Sequence, residues 1–551
     1  MRSWRDWRKK YIERVPEYSI GIDFGTTTSR IAYVDNYSIG GGAYPPMLPP
    51  VPSLIHVSGK EGDYKWAIGE AALNESWFYS KFKLHMANRE PMHATDHGGA
   101  SSRFEMPAEI LAARVISELT HYAIEHVSGL VNCKDVVITV PAEWNAKQRQ
   151  ATVLAGKIAG FSKVSLIEEP VAAYLALSSV FGNDIVKRAK NILVFDYGGG
   201  TLDITLIHKP DNGLPYVAGR SMDDKVLGGE YLDRLIAMEI IGADDWGKCT
   251  SREKSMLARQ VARPMKELLN PTSFETERPA SATNPKTVEI RSLGITHQED
   301  TLKLKRQQLD DIMSKHMGRF QACLDAAINL TDAESEIFKE ASLDKRKKEI
   351  DAVFMVGGSS YLRKVQETVL DYFDQTELGQ KIFLEQPEKV VAYGAALYKS
   401  YRDHREKKFS IRMPMKTYLR IQEGEEIVLG DVTDSNLPIR SKRPPKAYPA
   451  SKSATEIYWK VYQKHNYGDD EPDVVQTVRF QKVDNQSERV RLIYEIDENA
   501  CISHWKPELI YGQNEKVDTG IPSEEQYHWA NEDPVKLAKK YSVNKRANHI
   551  K

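Results

Sequence analysis

The sequence predicts a mixed α/β architecture of two similar lobes facing each other across a cleft, followed by a small all-β domain. Three observations carry that prediction. Residues 20–34 (IGIDFGTTTSRIAYV) are echoed at 193–207 (LVFDYGGGTLDITLI). Strand-like apolar runs alternate with helical ones between the echoes and after them. Beyond about residue 405, short alternating segments replace the 3.6-residue period.

Each echo reads as an apolar strand, an Asp, an aromatic, a Gly/Thr run and a second strand. Asp23 matches Asp196, Phe24 matches Tyr197, Gly25 matches Gly198 and Thr28 matches Thr201. The pattern predicts two β-hairpins with tight turns. Between them, VVITV closed by Pro141 is a buried strand, QRQATVLAGKIAG is a helix stopped at Gly160, and SLIEEP is a strand entering the helix VAAYLAL. Farther on, 351–373 is a strand, a Gly-Gly turn and an amphipathic helix, and 387–401 is a helix rich in small residues. TYLRI, EIVLG, TEIYWKVYQ, VVQTVRF and RVRLIYEID then place an all-β domain at about 410–505. Two proline-rich stretches, 43–52 and 440–450, read as surface insertions.

Composition narrows the function. The 551 residues suit two to four domains, and 41% hydrophobic with 28% charged residues is ordinary for globular chains. A net charge of −1 gives no expectation of nucleic-acid binding. Basic stretches at the N-terminal arm 1–17 and the tail 506–551 read as solvated, mobile ends. Four widely spaced cysteines suggest neither zinc nor disulfides. No long uninterrupted apolar window is present, so the expectation is a cytoplasmic protein without a membrane span.

The hairpin turns suit phosphate. Glycines let backbone N–H groups approach phosphate oxygens, and threonine hydroxyls add donors. Asp23 and Asp196 cannot bind phosphate directly but can hold Mg²⁺, usually through waters, and the ion then bridges phosphates. Neither GxxxxGK[ST] nor GxGxxG occurs.

DYGGGTLD (196–203) matches the second phosphate loop of the actin, sugar-kinase and heat-shock ATPase superfamily. VITVPAEWNAKQRQAT, IAG, EEPVAAYLA, LGGEYLD, VFMVGGSSYLRKVQ and PEKVVAYGAALY follow the order of the heat-shock protein 70 family. The chain resembles that family over about 18–402, and its divergent twelfth-type branch in having a β-rich segment without an evident helical lid. The resemblance implies an actin-like ATPase domain with a duplicated ribonuclease-H-like fold at 18–402, a linker at 403–416 and a substrate-binding domain at 410–505. It implies ATP/ADP and Mg²⁺ as cofactors. Asp23 and Asp196 would be the metal carboxylates. Gly25, Thr26, Thr27, Gly198, Gly199, Gly200 and Thr201 would hold the phosphates. Thr201, Glu169 and Asp203 would serve catalysis, Glu169 through the metal's water shell and Asp203 by orienting the attacking water. The catalytic lysine would be Lys81, which fits the family's Phe-x-x-Lys pattern, with Lys83 as its rival. Gly229, Glu230, Lys266, Gly357, Gly358, Ser359 and Tyr361 would border the ribose and base, and Pro141 and Arg149 would relay nucleotide state outward.

The sequence departs from the family at Arg263, which stands for an acid, and at Glu267 and Tyr361, which stand for stacking arginines. The acidic-leucine linker and the acidic C-terminal tetrapeptide are missing. The implied activity is slow, Mg²⁺-dependent ATP hydrolysis by a chaperone-like protein that binds client proteins and meets co-chaperones or exchange factors. The alternatives are a nucleotide-gated scaffold with little hydrolysis and, third, a small-molecule kinase.

Overall fold

The computed structural model describes residues 18–403 apart from 36–45, 76, 89, 97–104, 181–185, 187, 210–214, 224–227, 271–285, 290–300, 330–341 and 374–381. It also describes the strands of 416–525, residues 497 and 499–501, and 532–544. The arm 1–17 and linker residues 404–415 lie outside the described residues, as do 43–45 of the first proline-rich stretch and 441–446 and 450 of the second.

Lobe I is built on β1 (Tyr18–Asp23), β2 (Thr28–Asp35), β3 (Val51–Pro52), β4 (Asp135–Val140) and β5 (Lys163–Glu168), in the order β5-β4-β1-β2-β3. Here β1 and β2 are antiparallel, with Asp23 opposite Arg30, while β1, β4 and β5 run parallel. The parallel strands are apolar almost throughout because helices cover both of their faces. Three helices matter to the site: α1 (Ala108–His126), α2 (Ala146–Ile158) and α3 (Glu169–Val180). At the start of α2, Asn145 and Gln148 form a reciprocal cap that satisfies the first free N–H groups.

Lobe II repeats the plan. Its strands are β6 (Asn191–Tyr197), β7 (Leu202–His208), β8 (Tyr216–Asp223), β9 (Ala352–Val356) and β10 (Ile382–Phe383), in the order β8-β7-β6-β9-β10. Counted from the hairpin outward, the two orders are the same, so the echo at 20–34 and 193–207 reports a duplication of the whole sheet. Its helices include α4 (Gly229–Ile241), α5 (Arg263–Leu268) and α6 (Arg363–Tyr372), while α7 (Val390–Asp403), which follows β10 in the chain, packs back on β1, β2 and β4 of lobe I. The lobes share a core in which α3 crosses α7 through Ala172, Ala176, Ala392 and Ala396. A Cβ added at Gly394 would stand 1.8 Å from Ala172 O, so only glycine permits this approach.

The all-β domain holds two sheets. One orders 426–430, 416–420, β11 (Glu456–Lys464), β12 (Asp473–Gln481) and 521–525; the other orders 439–440, 489–496, 502–511 and 516–519. Its strands therefore run past the expected boundary at 505.

The tail expectation is corrected more sharply. Helix α8 (Pro534–Lys540) starts at Asp533, whose side chain accepts from Val535 N–H at 2.9 Å, with Pro534 pre-set for a first turn. Leu537, Ala538 and Val543 enter the apolar core of lobe I, and Tyr541 stacks on Tyr64 with ring centres 6.0 Å apart. Gly62 N–H donates to Lys540 O at 2.8 Å. Lys536, Lys539 and Lys540 stay exposed, so the basic composition belongs to the outer face of a packed helix.

Candidate functional site

The two hairpin turns meet over a cavity of about 430 Å³. Each is fixed from within. In lobe I, Gly25 N–H donates to Ser29 Oγ at 3.2 Å and Ser53 Oγ donates to Gly25 O at 2.9 Å. In lobe II, Gly198 N–H donates to Thr201 O, while Gly229 N–H and Glu230 N–H donate to Gly198 O and Gly199 O. A Cβ at Gly199 would stand 2.3 Å from Thr27 Oγ1, so the turns can close on one another only as glycine and threonine. Gly25, Thr26, Thr27, Gly198, Gly199, Gly200 and Thr201 all line the cavity.

At its base lie Asp23, Asp196, Glu169 and Lys83. Lys83 Nζ is 2.5 Å from Glu169 Oε1, and Asp23 Oδ1 accepts from Thr139 Oγ1 at 3.3 Å. Burial pushes the Glu169 carboxyl up to about 7, with Lys83 opposing. Burial raises Asp23 against the pull of Lys83 and Arg30, and raises Asp196 well above the usual range with added repulsion from Glu169, Asp203 and Asp23. Lys83 is raised: burial lowers it, but Glu169 and Asp23 outweigh that. Three carboxyl groups thus face one ammonium at the base of the cavity, and their mutual repulsion is what an added cation would relieve. Among the described residues no three acidic, histidine or cysteine side chains converge into a metal-holding group. Asp23 and Asp196 offer two carboxylates at the cavity, a donor set that fits Mg²⁺, which keeps waters and uses one or two carboxylates plus phosphates.

Lys81 is not at this base. It sits in a left-handed turn (φ 57°) before a short 3₁₀ helix, is half exposed, and its Nζ is 3.7 Å from Glu230. The backbone turn sends Lys81 outward and drops Lys83 inward, which reverses the sequence preference. Glu230 also turns away from the cavity, held by Arg259 at 2.5 Å. Asp203 does not line the cavity either: both its oxygens accept from Arg220, Nε and Nη2 each at 3.0 Å.

On the other side, Gly229, Lys266, Gly357, Gly358, Ser359 and Tyr361 line the cavity as expected. Ser359 Oγ donates to Gly198 O at 3.1 Å, and Tyr361 Oη donates to Glu388 at 2.7 Å. Lys266 Nζ lies 2.6 Å from the buried Asp233, which Arg263 Nε also contacts at 2.9 Å. Sequence reasoning missed Asp233, Asn270, Glu388 and Arg30. Arg30 lines the cavity, and its buried Nε has no hydrogen-bond partner among the described residues. The hairpin register could have found it, since Arg30 lies directly opposite Asp23.

Arg149 is buried, donating from Nη2 to Glu168 at 2.8 Å and from Nε to Trp144 O at 2.9 Å. Around it the all-β domain touches lobe I. Ala146 N–H donates to Gln463 Oε1 at 2.7 Å, Leu166 N–H donates to Asn499 Oδ1 at 2.9 Å, and Asn145 Nδ2 donates to Asp473 at 3.0 Å.

Comparison with known proteins agrees with this geometry. The family model described as Hsp70 protein matches residues 64–500. The chain is 29% identical over 407 residues to a ribosome-associated molecular chaperone of Candida glabrata. It is 31% identical over 404 residues to a ribosome-associated molecular chaperone of Eremothecium gossypii. Each alignment covers 69% of this chain and 60% of the relative, so the chain spans about three fifths of the length of these relatives. With the family match extending from lobe I into the all-β domain, the chain belongs to the Hsp70 family.

Proposed function

We propose that this protein binds Mg-ATP between its lobes, hydrolyses it slowly and couples nucleotide state to the binding of client proteins by the all-β domain. One observation carries the reading: two glycine-threonine hairpins, each with a half-buried Asp at the turn, enclose a cavity with a Lys83–Glu169 pair at its base. Asp23 and Asp196 hold the metal, and the turn residues 25–27 and 198–201 hold the β- and γ-phosphates with backbone N–H and threonine hydroxyls. When bound, Mg²⁺ supplies charge neutralisation between those phosphates. Lys83, rather than Lys81, donates to the phosphate oxygens as charge develops. Glu169, at about 7, suits proton acceptance from a water held by Thr201. Arg30 adds a cation on the base side, where Tyr361 offers a ring face.

The relatives' names, ribosome-associated molecular chaperones, support a chaperone role; a cytoplasmic location, protein clients and co-chaperone or exchange-factor partners belong to the same proposal. Among the described residues no helix is long and apolar enough to cross a membrane. A gated scaffold with little turnover is favoured by Asp203, whose oxygens are both taken by Arg220. Calorimetry with Mg-ATP and single-turnover hydrolysis decide between the two. Binding with turnover supports the ATPase, binding without turnover supports the scaffold, and no binding removes both.

A further inference from the structure

Arg220 stands in β8 of lobe II, yet it reaches lobe I. Its Nη2 is 2.6 Å from Glu143 Oε2, while Nε and Nη2 hold both oxygens of Asp203. Arg220 is nearly fully buried while Glu143 is half-buried, so these pairs are screened less than surface ones. Glu143 belongs to the segment that joins β4 to α2. On that segment Trp144 O accepts from Arg149, and Ala146 N–H donates to Gln463 of the all-β domain. Asp203 lies directly opposite Asp196 across the β6–β7 hairpin.

A continuous path of hydrogen bonds, closed by the Arg220–Glu143 ion pair, thus runs from the phosphate hairpin of lobe II, through one guanidinium, to the part of lobe I on which the all-β domain rests. The guanidinium suits that place because its planar fork can grip one carboxylate with two N–H groups and still reach a second. Lysine could serve the charge but not the fork.

We propose that Arg220 is a positioning residue, an interlobe bolt that fixes Asp203 against Glu143 and so makes the seating of the all-β domain depend on how the lobes stand around nucleotide. Asp203 is then half of the bolt and not the group that orients the attacking water. This rests on the nucleotide-binding reading above. A ligand shifts such an arrangement only if the two nucleotides differ in affinity for the bolted state.

The test uses the full chain and three variants, Arg220→Ala, Arg220→Lys and Glu143→Gln, each with ATP-Mg²⁺, with ADP-Mg²⁺ and without nucleotide. Hydrogen exchange at the Ala146 and Leu166 amides reports seating, and single-turnover hydrolysis and calorimetry report kcat and affinity separately. Wild-type protein should show different protection in the two nucleotides. Arg220→Ala should erase that difference, speed exchange even without nucleotide and slow turnover by about tenfold or more through misplacement, with ATP affinity changed less. Arg220→Lys should recover part of each effect. Glu143→Gln keeps the Asp203 half, so it should erase the nucleotide-dependent difference while slowing turnover less. Folded variants that keep the wild-type difference in protection overturn the bolt. Wild-type protein that binds no Mg-ATP overturns the functional reading instead, and in that case unchanged nucleotide-free protection in Arg220→Ala overturns the bolt as well.

Discussion

Lobe I and lobe II share one strand order but not one burden. Both offer a hairpin, an Asp and a glycine-threonine turn to the cavity. Lobe I alone also carries the all-β domain at β5 and α2, and helix α8 against α2. Duplication explains the symmetric part, since a polyphosphate with its metal needs donors from two sides. The unequal part lies at one sheet edge: Asn499 caps the open edge of the lobe I sheet, accepting from Leu166 N–H and donating to Val164 O. The β10 edge of lobe II pairs with no strand of that domain among the described residues.

The equality at the metal is the first thing to break. Asp196→Lys and Asp23→Lys should each abolish Mg-ATP binding in calorimetry, because a buried ammonium displaces the cation. If one of them binds normally, the two hairpins are not equivalent. Lys83→Ala should then lower single-turnover hydrolysis by about 10²-fold with ATP still bound, while Lys81→Ala changes it little. The reverse pattern would restore the Phe-x-x-Lys assignment.

That pair shows what could be read from sequence. The hairpins were legible because strand, Asp and turn are local in the chain, and the same holds for 351–373 and 387–401. Lys83 was not, because a single left-handed residue at position 81 decides which lysine faces inward. Arg220 was invisible for another reason: its partners lie on β7 and in the other lobe, so only tertiary register brings them together. Helix α8 could have been found. Asp533-Pro534 is a start signal, and Leu537, Ala538 and Tyr541 share one helical face, but a count of lysines concealed them.

Three smaller effects sharpen the contrast. Leu537→Ala should cost about 2–4 kcal/mol by leaving a cavity in lobe I. Val535→Ala, at an exposed position of the same helix, should stay within about 0.5 kcal/mol. Equal urea midpoints for the two would mean α8 is not part of the lobe I core. Arg30→Ala should weaken ATP binding about tenfold, as the loss of one charged hydrogen bond does; unchanged affinity would remove Arg30 from the base side of the nucleotide.

The smallest effect is on pH. Glu169 binds its proton more tightly folded (about 7) than unfolded (4.5), so between those values the native state holds more protons. Stability of the nucleotide-free protein should therefore receive a contribution from Glu169 that is present at low pH and fades as pH rises toward 7. Melting of wild type against Glu169→Gln from pH 4.5 to 8 isolates it, and the variant should lose that component of the slope. A difference that grows in the opposite direction would mean Glu169 is charged and stabilised in the fold.

Helix α8 changes the arithmetic of the all-β domain. That domain leaves the two-lobed body at Asp403, and the chain returns to the same body at Asp533. It is therefore a closed loop anchored at both ends rather than a domain on one leash. When Gln463 and Asn499 let go of lobe I, re-docking remains an intramolecular event, at an effective concentration in the millimolar range typical of short tethers. An interface of a few hydrogen bonds can then be opened and shut by a small free-energy difference, because letting go never means drifting away.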